Sequence, residues 1–229
     1  MVSLLKKVRK RTFKNSNDIF SYPFRYISTI ITSLLVNTSI TPLQITWAHL
    51  FIAMIAAVLF GIGDYLLTIL AALLFVLSYI LDMVDGELAR YRETRSEVSV
   101  WLDHVSDYIT LFFVLAGIAI GEFKNTDNAT TLILALISCV LIGSIGVVNI
   151  SKRASNKIKQ VKAIILPFKF KWSKKLHLGI FTISFIILTL GPLLKQVNIM
   201  LFVFIIIIFL AFIKAFIHRI KLIELEFRE

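Results

Sequence analysis

Six apolar runs alternate with short polar breaks along this chain, at residues 42–62, 65–88, 98–121, 129–150, 176–194 and 197–217. Each approaches or exceeds the ~20 residues that a helix needs to cross a bilayer. The pattern predicts an all-α integral membrane protein with six transmembrane helices. Thr41 before Pro42 is a good start for the first: Thr caps, and Pro is tolerated in the first turn. Gly61 and Gly63 separate the first run from the second, and Glu122 to Asn128 and Gly191-Pro192 to Asn198 supply two more breaks. Residues 19–36 follow another pattern. Phe20, Phe24, Ile27, Ile31, Leu34 and Leu35 recur at helical spacing, with Ser, Thr and Arg25 between them. That suits an N-terminal amphipathic helix lying in the membrane interface, with a soluble packing helix as the alternative. No internal repeat or low-complexity linker divides the chain. The expected organisation is a basic N-terminal segment, 1–41, followed by one six-helix membrane domain, 42–229.

Composition agrees with this reading. A hydrophobic fraction of 58% and a mean hydropathy of +0.85 exclude an ordinary soluble domain and make the bilayer the solvent. Cys139 sits in an apolar run and reads as a small packed hydrophobe, so there is no disulfide framework. The net charge of +11 raises the question of nucleic acid, and its distribution answers it. Basic residues number seven before residue 42, three in the second-to-third loop (Arg90, Arg92, Arg95), nine between the fourth and fifth runs, and four at the C-terminal end. The other three loops hold only Lys124 and Lys195. This bias places both termini in the cytoplasm of a multi-pass cell-membrane protein. The excess charge is assigned to topology and to contact with anionic lipid headgroups, with no nucleic-acid partner. The first 41 residues contain no uninterrupted apolar stretch, which argues against a cleavable signal peptide.

Against this background four carboxylates stand out. Asp82 and Asp85 are three residues apart near the end of the second run, and Asp103 and Asp107 are four apart near the start of the third. Carboxylates in or near a bilayer are costly and usually mark function. From Tyr65, Asp82 is roughly 26 Å along a helix at 1.5 Å per residue. The two antiparallel helices therefore bring all four acids to one side, predicted to be cytoplasmic. At 100° per residue, Asp82, Asp85, Gly86, Ala89 and Arg90 share an arc of about 140°. Ser99, Asp103 and Asp107 form one stripe on the third helix. The small residues Gly86, Ala89 and Ser99 would let a ligand approach the backbone closely. Trp101 points away from the stripe, as an interfacial anchor would. Four adjacent carboxylates need protons or cations, and all-oxygen ligands favour Mg²⁺, Mn²⁺ or Ca²⁺. Two divalent ions would balance the charge and suit phosphoryl transfer. Salt bridging to Arg90, Arg92 and Arg95 would leave the small residues unexplained.

The spacing Asp82-x2-Asp85-Gly86-x2-Ala89-Arg90-x8-Ser99-x3-Asp103-x3-Asp107 resembles the signature of the CDP-alcohol phosphotransferases, D-x2-D-G-x2-A-R-x8-G-x3-D-x3-D. Seven of its eight positions match, and Ser99 stands where the family has Gly. Thr41-Pro42-Leu43-Gln44-Ile45-Thr46 resembles the family's T-P-N-x-I-T, with Leu43 in place of Asn. The resemblance implies that Asp82, Asp85 and Asp103 bind metal, Mg²⁺ or Mn²⁺. Asp107 would contribute to a second ion and act as general base on the acceptor hydroxyl. It further implies that Asp82, Gly86, Ala89, Arg90 and the position of Ser99 line the nucleotide site. CMP would leave, and the family often forms homodimers. A lipid donor such as CDP-diacylglycerol would keep its acyl chains in the bilayer while a small polar alcohol reaches the site from water.

Lys152 and Arg153, at the end of the fourth run, would bind a phosphorylated acceptor such as inositol phosphate or glycerol phosphate; a basic loop that only sets topology is the alternative. The run RYISTIITSLLVNTSITPLQIT is similar to that of inositol-phosphate-handling members, which keeps a CDP-inositol-type transferase, with inositol phosphate or a lipid as acceptor, in view. His49, His104, His177 and His218 are scattered and read as packing or interface residues. Asp64, Glu122 and Asp127 read as solvated caps on the opposite side. A transporter would place ionisable residues near the midplane, whereas here the acids cluster on one side. A non-catalytic membrane protein would tolerate the loss of any one Asp.

Overall fold

The computed structural model describes residues 2–12, 21–154, 170–173, 176–178 and 180–226, with side chains described over 5–12, 21–148, 182–217 and 219–220. The chain runs α1 (Val2–Thr12), α2 (Tyr22–Leu35), α3 (Pro42–Ile62), α4 (Tyr65–Tyr91), α5 (Glu97–Thr126) and α6 (Thr130–Ala154). A small antiparallel hairpin, β1 (Phe170–Ser173) and β2 (Leu176–Leu178), precedes α7 (Ile180–Leu193) and α8 (Val197–Glu226). In the hairpin Phe170 faces Leu178 and Ser173 faces Leu176. It is the one departure from an all-helical chain among the described residues.

Five helices are long and apolar enough to cross a membrane: Pro42–Ile62, Tyr65–Tyr91, Glu97–Thr126, Thr130–Val148 and Val197–Ile217. The protein is thus a multi-pass helical membrane protein. The expected span at 176–194 differs. Its first residues form β2, and α7 has 14 residues, about 21 Å at 1.5 Å per residue, against a hydrocarbon core of about 30 Å. Pro192 lies in its last turn, and Lys195 turns the chain with a left-handed φ of 55°. α4, α5, α6 and α8 outrun their apolar segments. α4 continues to Tyr91 and α5 to Thr126, because hydropathy registers the lipid-facing part of a helix, not its polar ends.

The helix starts follow from local chemistry. Thr41 Oγ1 accepts from the Gln44 N–H, and Gln44 Oε1 accepts from the Thr41 N–H, a complete capping box with Pro42 in the first turn. Asp64 caps α4 by accepting from Leu67 N–H at 3.0 Å. α3 ends at Gly63, whose φ of +88° is open to glycine at little cost.

α3 and α5 pack backbone to backbone. A Cβ on Gly117 would overlap the carbonyl oxygen of Ala57, and one on Gly121 would overlap that of Phe60. These two glycines, four apart, form the small-residue seam by which membrane helices approach closely. Gly61 faces Gly117 across the same seam. Phe60, Phe75, Val114, Leu115, Leu188, Leu201, Phe204 and Ile208 fill the main core. Tyr79 stacks on Phe185 with ring centroids 4.1 Å apart, Phe24 meets both rings edge-on, and the Tyr79 hydroxyl lies 3.0 Å from Thr182 Oγ1. α2, α4 and α7 are joined there.

α2 is amphipathic, with its hydroxyl face turned inward. Ser28, Thr29, Thr32 and Ser33 are buried, while Tyr22, Tyr26, Ile27 and Leu34 are exposed. Ile31 and Leu35 pack at the edge of a second cluster formed by Ile45, Ile80, Val84 and Leu88. Phe20 lies outside the described residues. The inward hydroxyls meet Glu87 of α4, a side chain only 1% exposed. Ser28 Oγ and Thr32 Oγ1 each donate to its carboxyl at 2.9 Å, while Thr29 Oγ1, 3.4 Å from it, gives its one proton to the Arg25 carbonyl at 2.7 Å. A buried carboxylate without partners is very costly, and these donors satisfy it. Arg92, just beyond α4, donates to the carbonyls of Leu35, Val36, Thr38 and Ile40. It caps the end of α2 and ties down the loop that leads to Thr41.

Candidate active site

The four aspartates come together at one end of the bundle. α4 carries Asp82 and Asp85 in its last third, and α5 carries Asp103 and Asp107 within its first three turns. The Asp82 and Asp107 carboxyls lie within electrostatic reach of each other. Asp103 lies within electrostatic reach of Asp82, Asp85 and Asp107. Asp85 is buried, at 4% exposure, whereas Asp82, Asp103 and Asp107 are half-buried. The cluster therefore has a closed floor and an accessible side.

α3 supplies two groups that the sequence analysis did not assign to the site. Thr46 Oγ1 lies 2.6 Å from Asp85 Oδ2 and 3.2 Å from the Pro42 carbonyl. A hydroxyl has one proton, and the shorter contact to the carboxylate takes it. One turn on, His49 Nε2 is 3.9 Å from Asp82 Oδ1. Ser78 Oγ donates to the His49 carbonyl at 2.9 Å and pins α3 to α4 at this level. The available signal was the face of α3. Thr46 and His49 are three residues apart and lead into Ala53, Ala56 and Ala57, all buried, while Leu43, Trp47 and Phe51 are exposed.

The donor set fits a divalent cation. One atom each from His49, Asp82 and Asp85 lies within 4.8 Å of the others. His49 Nε2 and Asp82 Oδ1 are buried and lack a hydrogen-bond partner. Two buried polar atoms without partners suit a pair of metal ligands.

Around the acids, Ala89 is buried beside Leu88, and the Arg90 guanidinium lies over Gly86. A Cβ at residue 86 would come within 3.2 Å of Arg90 Nη1, so Gly lets the cation lie close to the α4 backbone. Arg90 Nε is buried and unpartnered. Arg90 and Arg25 lie within electrostatic reach of Asp82. Ser99 completes a capping box at the start of α5: its Oγ accepts from Ser96 N–H at 3.0 Å, and Ser96 Oγ accepts from Ser99 N–H at 3.0 Å. The departure from Gly at this position thus starts the helix that carries Asp103 and Asp107. Trp101 is exposed, as an interfacial anchor requires. Lys152 and Arg153 fall in the last turn of α6, and their side chains lie outside those described, as do those of His177 and His218. Asp64 caps α4 and Asp127 closes α5 in a left-handed turn.

A bundle of membrane-crossing helices with a carboxylate cluster between two of them defines an integral membrane protein with a built acidic site. The chain belongs to the CDP-alcohol phosphatidyltransferase family, whose model matches residues 39–217. No curated protein matches it closely enough to add a nearer relative. The protein is accordingly a phosphotransferase enzyme acting on a CDP-linked alcohol.

Thr46→Val should test the support given to Asp85. Removing a hydrogen bond to a charged group costs about 1.5 kcal/mol or more, so the transfer rate should fall at least roughly tenfold, with Thr46→Ser retaining most of it. Equal rates for Thr46→Val and the wild type would separate Thr46 from the site.

Proposed function

We propose that this protein moves a phosphatidyl group from CDP-diacylglycerol to the hydroxyl of a small polar alcohol, free or phosphorylated, and releases CMP, as a step in phospholipid synthesis. The convergence of Asp82, Asp85, Asp103 and Asp107, with Arg90 laid over Gly86, carries this reading. Asp82, Asp85 and Asp103 would hold one Mg²⁺ or Mn²⁺ ion, and Asp107 would help hold a second. Such ions would supply charge neutralisation for the donor diphosphate and polarisation of its phosphoryl oxygens. The protein's own groups do the remaining work. Arg90 faces the negative charge of the nucleotide, and Gly86, Ala89 and Ser99 leave room for it beside α4 and α5. Asp107 accepts the acceptor's hydroxyl proton as its oxygen bonds to phosphorus. The bond from that phosphorus to the bridging oxygen breaks, and CMP departs with the electron pair.

The basic bias of the loops supports a cytoplasmic site and cytoplasmic termini. α7, packed through Phe185 into the core, serves as a short sixth crossing. Residues 1–41 form the basic N-terminal segment and 42–229 the catalytic domain, which works as a homodimer. Lys152 and Arg153 bind the acceptor's phosphate. The test is a transfer assay on purified protein with radiolabelled CDP-diacylglycerol, Mg²⁺ or Mn²⁺ and a panel of free and phosphorylated alcohols, resolved by lipid chromatography. Labelled product lipid should form with one class of acceptor and vanish in chelator. Full activity in chelator would refute the metal-dependent mechanism, and labelled product with a CDP-inositol donor instead would reassign the substrate.

A further inference from the structure

We infer that His49 is a direct ligand of the ion held by Asp82 and Asp85, which makes this a mixed nitrogen and oxygen site with a preference for Mn²⁺ over Mg²⁺. The inference rests on the metal-site reading above and adds a ligand from a third helix, α3. Three observations carry it. His49 is only 2% exposed, and its Nε2 has no hydrogen-bond partner. The nearest carboxylate oxygen to it is Asp82 Oδ1, which is also buried and unpartnered. Their separation is 3.9 Å, too long for a hydrogen bond. Ligands of an octahedral ion bound at about 2.1 Å stand about 3 Å apart when adjacent and about 4.2 Å apart when opposed. The observed gap lies between these two separations, so a small shift of either side chain would bring both atoms onto a common ion.

The position of His49 is held from behind. Its carbonyl accepts from Ser78 Oγ, and Thr46, one turn earlier, holds Asp85. α3 thus brings one ligand and the support for another to the same level of α4. Mg²⁺ and Ca²⁺ favour oxygen ligands, whereas imidazole nitrogen suits transition metals. A buried imidazole in an otherwise carboxylate site shifts selectivity toward Mn²⁺, which accepts both ligand types.

Pulsed EPR of Mn²⁺ bound to the full-length protein in detergent tests this. The wild type should bind Mn²⁺ and show echo modulation from a coordinated ¹⁴N nucleus. Labelling with ¹⁵N-histidine should convert that modulation to the ¹⁵N pattern, a readout that needs no variant. His49→Gln should abolish it and weaken Mn²⁺ binding about 10–100-fold, while Mg²⁺ binding changes less. Bound Mn²⁺ with no histidine-nitrogen modulation, or modulation that persists in His49→Gln, overturns the inference and leaves the carboxylate site standing. Failure of the wild type to bind any Mn²⁺ overturns the metal-site reading and the inference together.

Discussion

Replacing Asp107 with Asn should lower CMP release about 10²- to 10⁴-fold, the range that general base catalysis contributes, while the protein stays folded. Asn has the shape of Asp and keeps a polar amide within reach of Asp82, the electrostatic neighbour of Asp107. It has no oxygen able to take the proton of the attacking hydroxyl. Asp107 is half-buried, so the substitution leaves no fully desolvated amide. Two measurements are needed side by side: CMP formation with donor and acceptor present, and the thermal unfolding midpoint in detergent. A normal midpoint with lost turnover assigns Asp107 to the chemistry. Turnover near wild type removes it from the role of base and leaves it a ligand or a spectator.

The second large effect is structural. Gly121→Ala should destabilise the bundle by about 1–3 kcal/mol, the cost of overpacking a tight contact, and Gly117→Ala should do the same. The added methyl falls on the Phe60 or Ala57 carbonyl oxygen. Backbone cannot rotate aside as a side chain would, so α3 and α5 must separate. Those two helices carry Thr46 and His49 on one side and Asp103 and Asp107 on the other, so activity should fall with stability. Gly143→Ala is the control. A Cβ there meets only the Phe112 ring at 3.7 Å, an ordinary contact, and the midpoint should hardly move. Equal midpoints for all three variants would show that the α3 and α5 seam is looser than its geometry implies.

The long apolar runs were legible because a bilayer imposes one length on them. α3 occupies the expected 42–62, and α4 to α6 and α8 begin within a residue or two of expectation. Their far ends were less legible, since helical hydrogen bonding continues into polar residues that hydropathy counts as loop. α7 was overextended for a related reason: Leu176 and Leu178 are apolar, yet they pair as strand β2. Among the acids, spacing along two helices was enough to predict convergence, because both ends meet at a short loop. Spacing could not supply the third helix. Thr46 and His49 reach the acids only through the α3–α4 crossing, and one lone histidine among four gave no local sign of it. By pattern alone Ser28, Thr29 and Thr32 form the polar side of an interfacial helix. Their partner, Glu87, stands in the same short stretch as the aspartates and was not assigned a role.

That partner has a consequence for how the active end is assembled. Asp85 and Glu87 are two residues apart, so at 100° per residue they face nearly opposite directions from α4. Asp85 is gripped by α3 through Thr46, and Glu87 by α2 through the hydroxyls of Ser28 and Thr32. The hydroxyls sit at fixed heights on α2, so sliding that helix by one turn would strand a buried carboxylate. α2 therefore works as a depth gauge. It sets how far the chain has risen when it reaches the Arg92-bound loop, and so the level at which Thr41 launches α3 and delivers Thr46 to the acids.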